Sequence, residues 1–230
     1  MGFADFFRRL FSSGPPPIRR NDQIWLTPAA KLRGIVRDVQ LALKENTTPL
    51  VVAHFPNMLQ GMRTLLEGTQ QPFEVLAKPD HPGDWTRRLL ATKADRVLLA
   101  ESKDVSAVEE PTEPVRDETA AVSIIVIESH PLPAHDEAIE RFAAQLPCRC
   151  RLQVHLSLED AVMRAFAGDW VADMLRRLGM KDDEAIESAM VMRRVRQAQR
   201  KIEGCQIGDA PAESADEWLR LNCPQFAAKS

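Results

Sequence analysis

The chain lacks the glycine-rich loop with which nucleotide-hydrolysing motors hold phosphates, because the pattern GxxxxGK[ST] occurs nowhere in its 230 residues. In that loop, backbone N–H groups and a lysine bind the β and γ phosphates. The sequence also lacks any apolar run near the roughly 18 residues that a membrane-spanning helix requires. The chain alone therefore offers no evident means of holding ATP and Mg²⁺, and we predict no membrane span.

Net charge and cysteine are also scarce. The formal charge of −3 exerts no general attraction on nucleic acid or anionic lipid, so a charged partner must be recognised by a local patch. Four cysteines without an evident secretory signal favour reduced thiols in the cytosol. Cys148 and Cys150 lack a second cysteine pair at zinc-binding spacing, so we predict no metal site.

Strand and helix patterns alternate along most of the chain. Thr27 is a predicted N-cap with Pro28 at the first helical position, and this helix should continue to Leu43. The uninterrupted apolar run Leu50–Ala53 is typical of a parallel strand covered on both faces. The alternation predicts an α/β fold with a mostly parallel sheet and helices on both faces. The remaining predicted strands are 73–76, 96–100, 122–127 and 152–156, and the remaining predicted helices are 56–67, 85–91, 136–145, 185–204 and 216–221.

Two polar stretches receive structural interpretations. Ser157 is a predicted helix N-cap, with Glu159 and Asp160 in the first turn, where carboxylates favour the positive end of the helix dipole. The segment His130–Asp136 reads HPLPAHD and is interpreted as a polar loop. No Ser/His/Asp ordering and no GxSxG turn suggests a hydrolase.

Residues 1–17 form a predicted amphipathic helix that ends in a proline spacer. Four arginines in the first twenty residues against one aspartate give a local charge of +3, which favours anionic lipid. A helix docked on the protein's own core or on a partner is the alternative. Apolar side chains recur at helical spacing, with arginines on the opposite face. The predicted membrane-contact residues are Phe3, Phe6, Phe7, Leu10, Phe11, Arg8 and Arg9.

Three stretches in the second half of the chain carry a family resemblance. They read HLSLEDAVMRAF from His155, LRRLGMKDDEAIES from Leu175 and MVMRRVRQAQRKIEG from Met190. At this spacing they resemble the SecA family of motor ATPases of preprotein translocation, at the end of its second nucleotide-binding subdomain and the start of its helical scaffold. Ile18–Asp38 resembles the entry to that subdomain, so the resemblance spans about residues 18 to 204.

The resemblance implies a particular domain organisation. A single RecA-like domain of the helicase C-terminal type, with three layers, should occupy residues 18–184, with an acidic mobile loop at 101–118. A long scaffold-like helix should follow at 185–204, and 205–230 is interpreted as a polar tail. The family keeps its phosphate loop in the first nucleotide-binding subdomain, which has no counterpart here, so the chain is interpreted as a truncated relative.

Two more elements of the family's active site are predicted to be lost. In the family, arginines before the last strand reach the γ-phosphate, an effect worth about 10³ to 10⁵ in rate. Counted back without gaps, those positions fall on Glu140, Phe142 and Gln145. A shifted register that recruits Arg141, Arg149 or Arg151 is the alternative. The loop after the strand at 96–100 also lacks the glycine and arginine that couple nucleotide to domain movement in the family.

The long helix at 185–204 carries a basic face. Its predicted partner-contact residues are Arg193, Arg194, Arg196 and Arg200. No aromatic residue interleaves with these arginines, so the helix offers no stacking platform for single-stranded nucleic acid. Packing or protein contact is therefore the favoured role.

These observations predict a non-hydrolysing accessory or interaction module of protein translocation. We expect no catalytic residue and no resident cofactor, with residual ATP or ADP binding left open. The expected partners are the translocon or a full-length SecA, together with an anionic membrane surface, and nucleic acid is not expected. The expected location is the cytoplasm and the inner face of the cell membrane. The alternatives are an ATPase half that a partner subunit completes, and a helicase-derived nucleic-acid binder.

The N-terminal interpretation leads to a direct test. Phe6→Glu combined with Phe7→Glu places two charges on the apolar face, and burying a charge in lipid is unfavourable. We expect the doubly substituted protein to stop sedimenting with anionic liposomes that retain the unsubstituted protein. Equal sedimentation of both proteins would show that the membrane role of this helix is wrong.

Overall fold

The computed structural model describes residues 18–19, 22–77, 84–91, 94–106, 120–164, 170–177, 181 and 183–227. The predicted membrane-contact residues and residues 107–119 of the predicted acidic loop lie outside these ranges. In the part of the chain so described, no helix combines the length and hydropathy needed to cross a bilayer.

Eight strands form one mostly parallel sheet in the order β4-β5-β3-β6-β7-β2-β8, with β1 also pairing with β7. β8 lies antiparallel to β2, and the other recorded pairings are parallel. β1 joins β7 with Ile18 opposite Arg151. The strands are β1 Ile18–Arg19, β2 Gln23–Trp25, β3 Thr48–Ala53, β4 Phe73–Leu76, β5 Val97–Glu101, β6 Ala121–Val126, β7 Arg149–Ser157 and β8 Ile186–Glu187.

Helices connect the parallel strands and cover both faces of the sheet, which confirms the predicted fold class. They are α1 Pro28–Lys44, α2 Pro56–Gly68, α3 Asp84–Ala91, α4 Ser102–Ser106, α5 Pro133–Gln145, α6 Ala161–Arg164, α7 Trp170–Arg177, α8 Ala189–Glu203, α9 Ala215–Asn222 and α10 Pro224–Ala227. α1 begins as predicted, because the Thr27 side chain accepts a hydrogen bond from the Ala30 N–H at 3.2 Å.

The core divides into two main clusters, one on each face of the sheet. Strand β3 contributes Leu50 and Val52 to one cluster and Val51 to the other, as alternation along a strand requires. The first cluster includes apolar side chains of α3, α5 and α8. The second is closed by α1 and α2. The fully apolar pattern predicted for this strand therefore reflects burial on both of its faces.

The segment predicted as a polar tail from residue 205 contains a third core cluster. α9 buries Trp218 and Leu219 against Ile202 of α8, and Phe55 lies in the same cluster. The Trp218 indole N–H donates to Asp209 Oδ1 at 2.9 Å. The tail interpretation missed this packing, because two apolar side chains one turn from a helix end give a weak sequence signal.

Several predicted boundaries differ from the structure, including the following three. Ser157 is not a helix N-cap, because β7 continues through it in register with Trp25. α8 begins at Ala189 instead of residue 185, because the preceding residues form β8 and Ser188 caps the helix. The first residues of the predicted mobile loop at 101–118 are not a loop, because β5 ends at Glu101 and α4 directly follows it.

A tight contact between α1 and β2 gives a stability test. A Cβ atom on Gly34 would lie 2.0 Å from Cζ2 of Trp25, and Trp25 is fully buried. Gly34→Ala should lower the free energy of unfolding by roughly 1 to 3 kcal/mol, because the indole must shift in a packed core. Urea denaturation measures the change.

The matched control is Gly61 in α2, where an added Cβ meets nothing within 4 Å. Gly61→Ala should raise the free energy of unfolding by about 0.5 to 1 kcal/mol, because alanine has the higher helix propensity. Equal effects of the two substitutions would contradict the close approach of Gly34 to Trp25.

Candidate functional site

The carboxyl ends of the central strands carry several buried polar side chains. His54 follows β3, Ser102 follows β5, and Glu128 with His130 follows β6. In open α/β sheets, ligands bind at this edge, because the loops and helix N-termini there present polar groups. We therefore take this carboxyl edge as the candidate site.

Asp136 of α5 is the centre of the network at this edge. Its Oδ1 accepts a hydrogen bond from the His130 N–H at 3.0 Å, and its Oδ2 accepts one from Gln199 Nε2 at 2.7 Å. Gln199 also donates to the His130 carbonyl at 2.8 Å. A single carboxylate thus joins the end of β6 to α5 and α8.

His54 extends this network towards β5. Its Nδ1 lies 2.9 Å from the Ser102 hydroxyl, and its Nε2 lies 2.8 Å from Asp136 Oδ1. The second contact is close, but it is not a well-formed hydrogen bond, because the ring N–H does not point along the line to the oxygen. We therefore describe it as an electrostatic contact.

The network contains the three side chains of a hydrolase triad in the order nucleophile, base and acid, namely Ser102, His54 and Asp136. The sequence did not suggest this arrangement. The arrangement does not present a nucleophile, because Ser102 is only 4% exposed, whereas the Asp136 side chain is 21% exposed. A triad works in the opposite sense, with its serine facing the substrate. The three side chains therefore have no accessible nucleophilic function in this conformation.

The His130 ring lies at the centre of an aromatic cluster. It stacks on Phe55 at a centroid distance of 5.1 Å, and the tilted ring of His135 lies 3.8 Å from it. Trp218 of α9 meets it edge-on at 5.4 Å. Burial lowers the pKa of His130 well below its ordinary value, so the ring is neutral. The polar-loop interpretation of the HPLPAHD segment is wrong, since His130 is buried.

Glu128 lies beside a buried ion pair. Lys31 Nζ, in a side chain only 2% exposed, contacts Asp160 Oδ1 at 2.7 Å, and Asp160 also accepts hydrogen bonds from the Ser157 N–H and hydroxyl. Burial raises the pKa of Glu128 to about 7, against the opposing effects of Lys31 and His54. Among the residues that the structure describes, its Oε1 has no hydrogen-bond partner.

A second buried network joins α1 to β2 and β7. The Trp25 indole N–H donates to Nδ1 of His155 at 3.2 Å, and His155 Nε2 lies 3.4 Å from Asp38 Oδ2. Burial lowers the pKa of His155, so we assign the neutral ring with its proton on Nε2. For Asp38, burial raises the pKa, but contacts with His155 and Arg37 outweigh it and lower the pKa below its ordinary value.

The three positions predicted to have lost family arginines all lie on α5, in different environments. Phe142 is 4% exposed and packs in the first core cluster. Glu140 Oε1 lies 3.7 Å from Arg196 Nη2 of α8. Gln145 is exposed at the helix end. The structure thus brings Glu140 together with a predicted partner-contact residue. The alignment that assigns these positions stays a prediction.

The four predicted partner-contact arginines divide into two pairs. Arg196 and Arg200 line a small pocket of about 90 Å³ between α5 and α8, together with Asp136, Glu137 and Glu140. Arg193 and Arg194 are exposed and do not line it. One helix therefore presents its arginines to two different surroundings.

The two cysteines that were weighed as metal ligands lie elsewhere in the domain. Cys148 and Cys150 are both buried near the start of β7, and burial raises the pKa of the Cys150 thiol. Within the described ranges, no three His, Cys, Asp or Glu side chains are grouped as a metal would require.

Sheet, helices and polar carboxyl edge together define the class of protein, which is an α/β domain of the RecA-like kind. Within that class, the predicted resemblance to SecA is confirmed. The chain is 29% identical over 213 residues to the protein translocase subunit SecA of Pseudomonas savastanoi pv. phaseolicola (strain 1448A / Race 6), covering 80% of this chain and 23% of that subunit. It is 50% identical over 70 residues to SecA 1 of Rhodopirellula baltica, covering 27% of this chain and 6% of that protein.

The chain thus spans about a quarter of the length of the first of these relatives. No family model matches the chain. Among solved structures, it is similar to Mss116p DEAD-box helicase domain 2 bound to an RNA duplex, with 8% identity, a TM-score of 0.44 and coverage of 88% of this chain and 77% of that one. At this score the likeness supports no conclusion about function.

Sequence reasoning missed most members of the edge network. His54 and Ser102 carry no motif, and Gln199 lies in a stretch that was quoted only for the family resemblance. The three residues come from segments that are distant in the sequence. The one available signal was position, since polar residues directly after buried strands fall at the carboxyl edge of a parallel sheet. His130 was singled out only within the HPLPAHD segment, which was interpreted as a polar loop.

The burial of Glu128 predicts a pH dependence of stability. Because the folded-state pKa of about 7 lies above the unfolded value of 4.5, Glu128 contributes stability that is complete below pH 4.5 and is lost as the pH rises through 7. Between about pH 5 and pH 8, the free energy of unfolding should fall by roughly 2 to 3 kcal/mol more in the unsubstituted protein than in Glu128→Gln.

Urea denaturation at the two pH values measures the difference. Glu137→Gln is the control, because Glu137 is an exposed carboxylate on α5 and its removal should leave the pH slope unchanged. A Glu128→Gln variant with the slope of the unsubstituted protein would show that Glu128 ionises normally.

Proposed function

We propose that this SecA-like domain is a protein-contact module of the translocation machinery that does not hydrolyse ATP by itself. The observation that supports the proposal is that polar groups of the carboxyl edge are already paired and covered. Its polar side chains are bonded to one another, and α8 and α9 pack over them through Gln199 and Trp218.

The charges at this edge oppose phosphate binding. Phosphate groups require unpaired cations or N–H donors, and Lys31 is already paired with Asp160 at 2.7 Å. Asp136, Asp160 and Glu128 add carboxyl groups at the place where phosphates would lie. Like charges at short range in a low-dielectric site repel strongly, so the edge favours protein–protein packing over nucleotide.

The α5 helix supports the same proposal. An arginine that reaches a γ-phosphate must be free to extend across a cleft, whereas Glu140 faces Arg196 and Phe142 is part of the core. In this protein the helix therefore works as a docking surface for α8. That role requires no nucleotide.

The proposed setting comes from the relatives. The similar proteins are translocase subunits, so we propose the translocon or a full-length SecA as partner. Attachment to the inner face of the cell membrane through residues 1–17 is part of the proposal. ATP hydrolysis completed by a partner subunit is the competing function.

Nucleotide binding tests the proposal. We expect no calorimetric or fluorescence signal when the purified protein is titrated with Mg-ATP or Mg-ADP to about 1 mM, and no phosphate release. A full-length SecA serves as the positive control. ATP hydrolysis by the protein alone would overturn the proposal. Saturable binding tighter than about 100 µM would contradict the argument that the charges at the carboxyl edge oppose phosphate binding.

A mixing experiment separates the competing function. If the protein completes an ATPase, phosphate release should exceed that of the partner alone, and Arg141, Arg149 or Arg151 should be required for the excess. We expect co-purification with SecA or the translocon without such an increase.

A further inference from the structure

The helix α8 has one face inside the domain and one face in solvent. Val195, Ala198, Gln199 and Ile202 are buried, and they hold the helix against α5, α6 and α9. Ser188 caps its first turn by accepting a hydrogen bond from the Val191 N–H at 3.3 Å. The helix is therefore fixed at its start and along its length.

The opposite face of α8 forms a continuous basic stripe, which we call the outer stripe. Its members recur at i, i+3, i+4, i+7 and i+11, the spacing of one helix face. They are Met190, Arg193, Arg194, Gln197 and Lys201. All five are exposed, and Met190 reaches 71% exposure.

The cations of the outer stripe are not neutralised by the domain. In the described part of the chain, no salt bridge joins Arg193, Arg194 or Lys201 to a carboxylate. The Arg194 guanidinium donates only to the neighbouring Gln197 amide, at 3.4 Å. By contrast, Arg196, which lies off the stripe, has a carboxylate partner in Glu140. The protein thus pairs the arginine that faces α5 and leaves three outer cations available.

We propose that the outer stripe docks an acidic amphipathic helix of a separate protein. This inference rests on the proposed function and names its contact surface and the chemistry of the partner. A helix laid along the stripe would place carboxylates against Arg193, Arg194 and Lys201, and an apolar side chain against Met190.

The shape of the stripe favours a helix over nucleic acid. Residues at i, i+4, i+7 and i+11 form a ridge that fits the groove of a second helix. The aliphatic stems of arginine and lysine supply apolar contact area, and methionine adapts to irregular partners. The stripe contains no aromatic side chain on which a base could stack. Its charges are therefore best complemented by carboxylates at helical spacing.

Site-specific crosslinking tests the proposal in the full-length protein inside its own cells. A photoreactive phenylalanine analogue replaces Gln197 at the middle of the stripe, and crosslinked peptides are identified by mass spectrometry. We expect an adduct with a segment that carries several Asp or Glu residues at three- and four-residue spacing. The same analogue in place of Gln60, an exposed residue of α2, should not capture that segment.

Charge reversal distinguishes electrostatic docking from proximity. Arg193→Glu combined with Arg194→Glu and Lys201→Glu should lower the yield of the Gln197-site adduct by at least about tenfold, because each attraction between a cation and a carboxylate becomes a repulsion between two carboxylates. The matched control reverses three exposed arginines elsewhere, Arg33→Glu, Arg141→Glu and Arg177→Glu. That variant has the same net charge and should keep the adduct. Circular dichroism verifies that both variants are folded.

The outcomes separate this inference from the proposed function. No adduct at the Gln197 site overturns the inference, as does an adduct with nucleic acid, lipid, a second copy of this chain or a segment without carboxylates. An acidic helix from a protein outside translocation supports the inference and contradicts the proposed function. Co-purification with the translocon that survives charge reversal overturns the inference and leaves the proposed function intact.

Discussion

The rest of this structure depends on the contacts that the Asp136 carboxylate makes. It receives the His130 N–H at the end of β6, the Gln199 amide from α8 and the edge of the His54 ring from the end of β3. Each contact comes from a different segment of the chain. Because buried polar groups are costly when unpaired, loss of this one carboxylate would remove the acceptor of the His130 N–H and one of the two acceptors of the Gln199 amide. The sheet, α5 and α8 are therefore joined by a polar contact as well as by apolar packing.

This closure explains why the carboxyl edge is unlike an open ligand site. Trp218 packs edge-on against His130, and Asp209 accepts a hydrogen bond from the indole N–H. The C-terminal helices therefore lie on the carboxyl edge instead of beside it. Polar groups that would bind a ligand in an open edge are used here to fix a helix. A site of this kind favours stable packing at the expense of exchangeable binding.

The sequence predicted local features well and distant contacts poorly. The start of α1 was predictable because Thr27 and Pro28 decide it within one turn, and the strand at Phe73–Leu76 was predicted with its observed bounds. β8 was missed, because a two-residue strand exists only through its pairing with β2. The contact between Glu140 and Arg196 was also missed, although both residues were singled out, because nothing local relates α5 to α8. The edge network could not be predicted from the sequence for the same reason, because only the topology of the sheet brings its members together.

The pairing of β1 with β7 sets the distance between residue 18 and the carboxyl edge of the sheet. Ile18 lies opposite Arg151, six residues before Ser157 on β7, so about 20 Å of strand separates the entry of residue 18 from the carboxyl edge. Residues 1–17 therefore precede the strand that joins the sheet at the end away from the covered network. The proposed membrane attachment and the proposed partner contact would use separate surfaces. Each would raise the effective concentration of the other's target, so the combined binding would be stronger than either attachment alone.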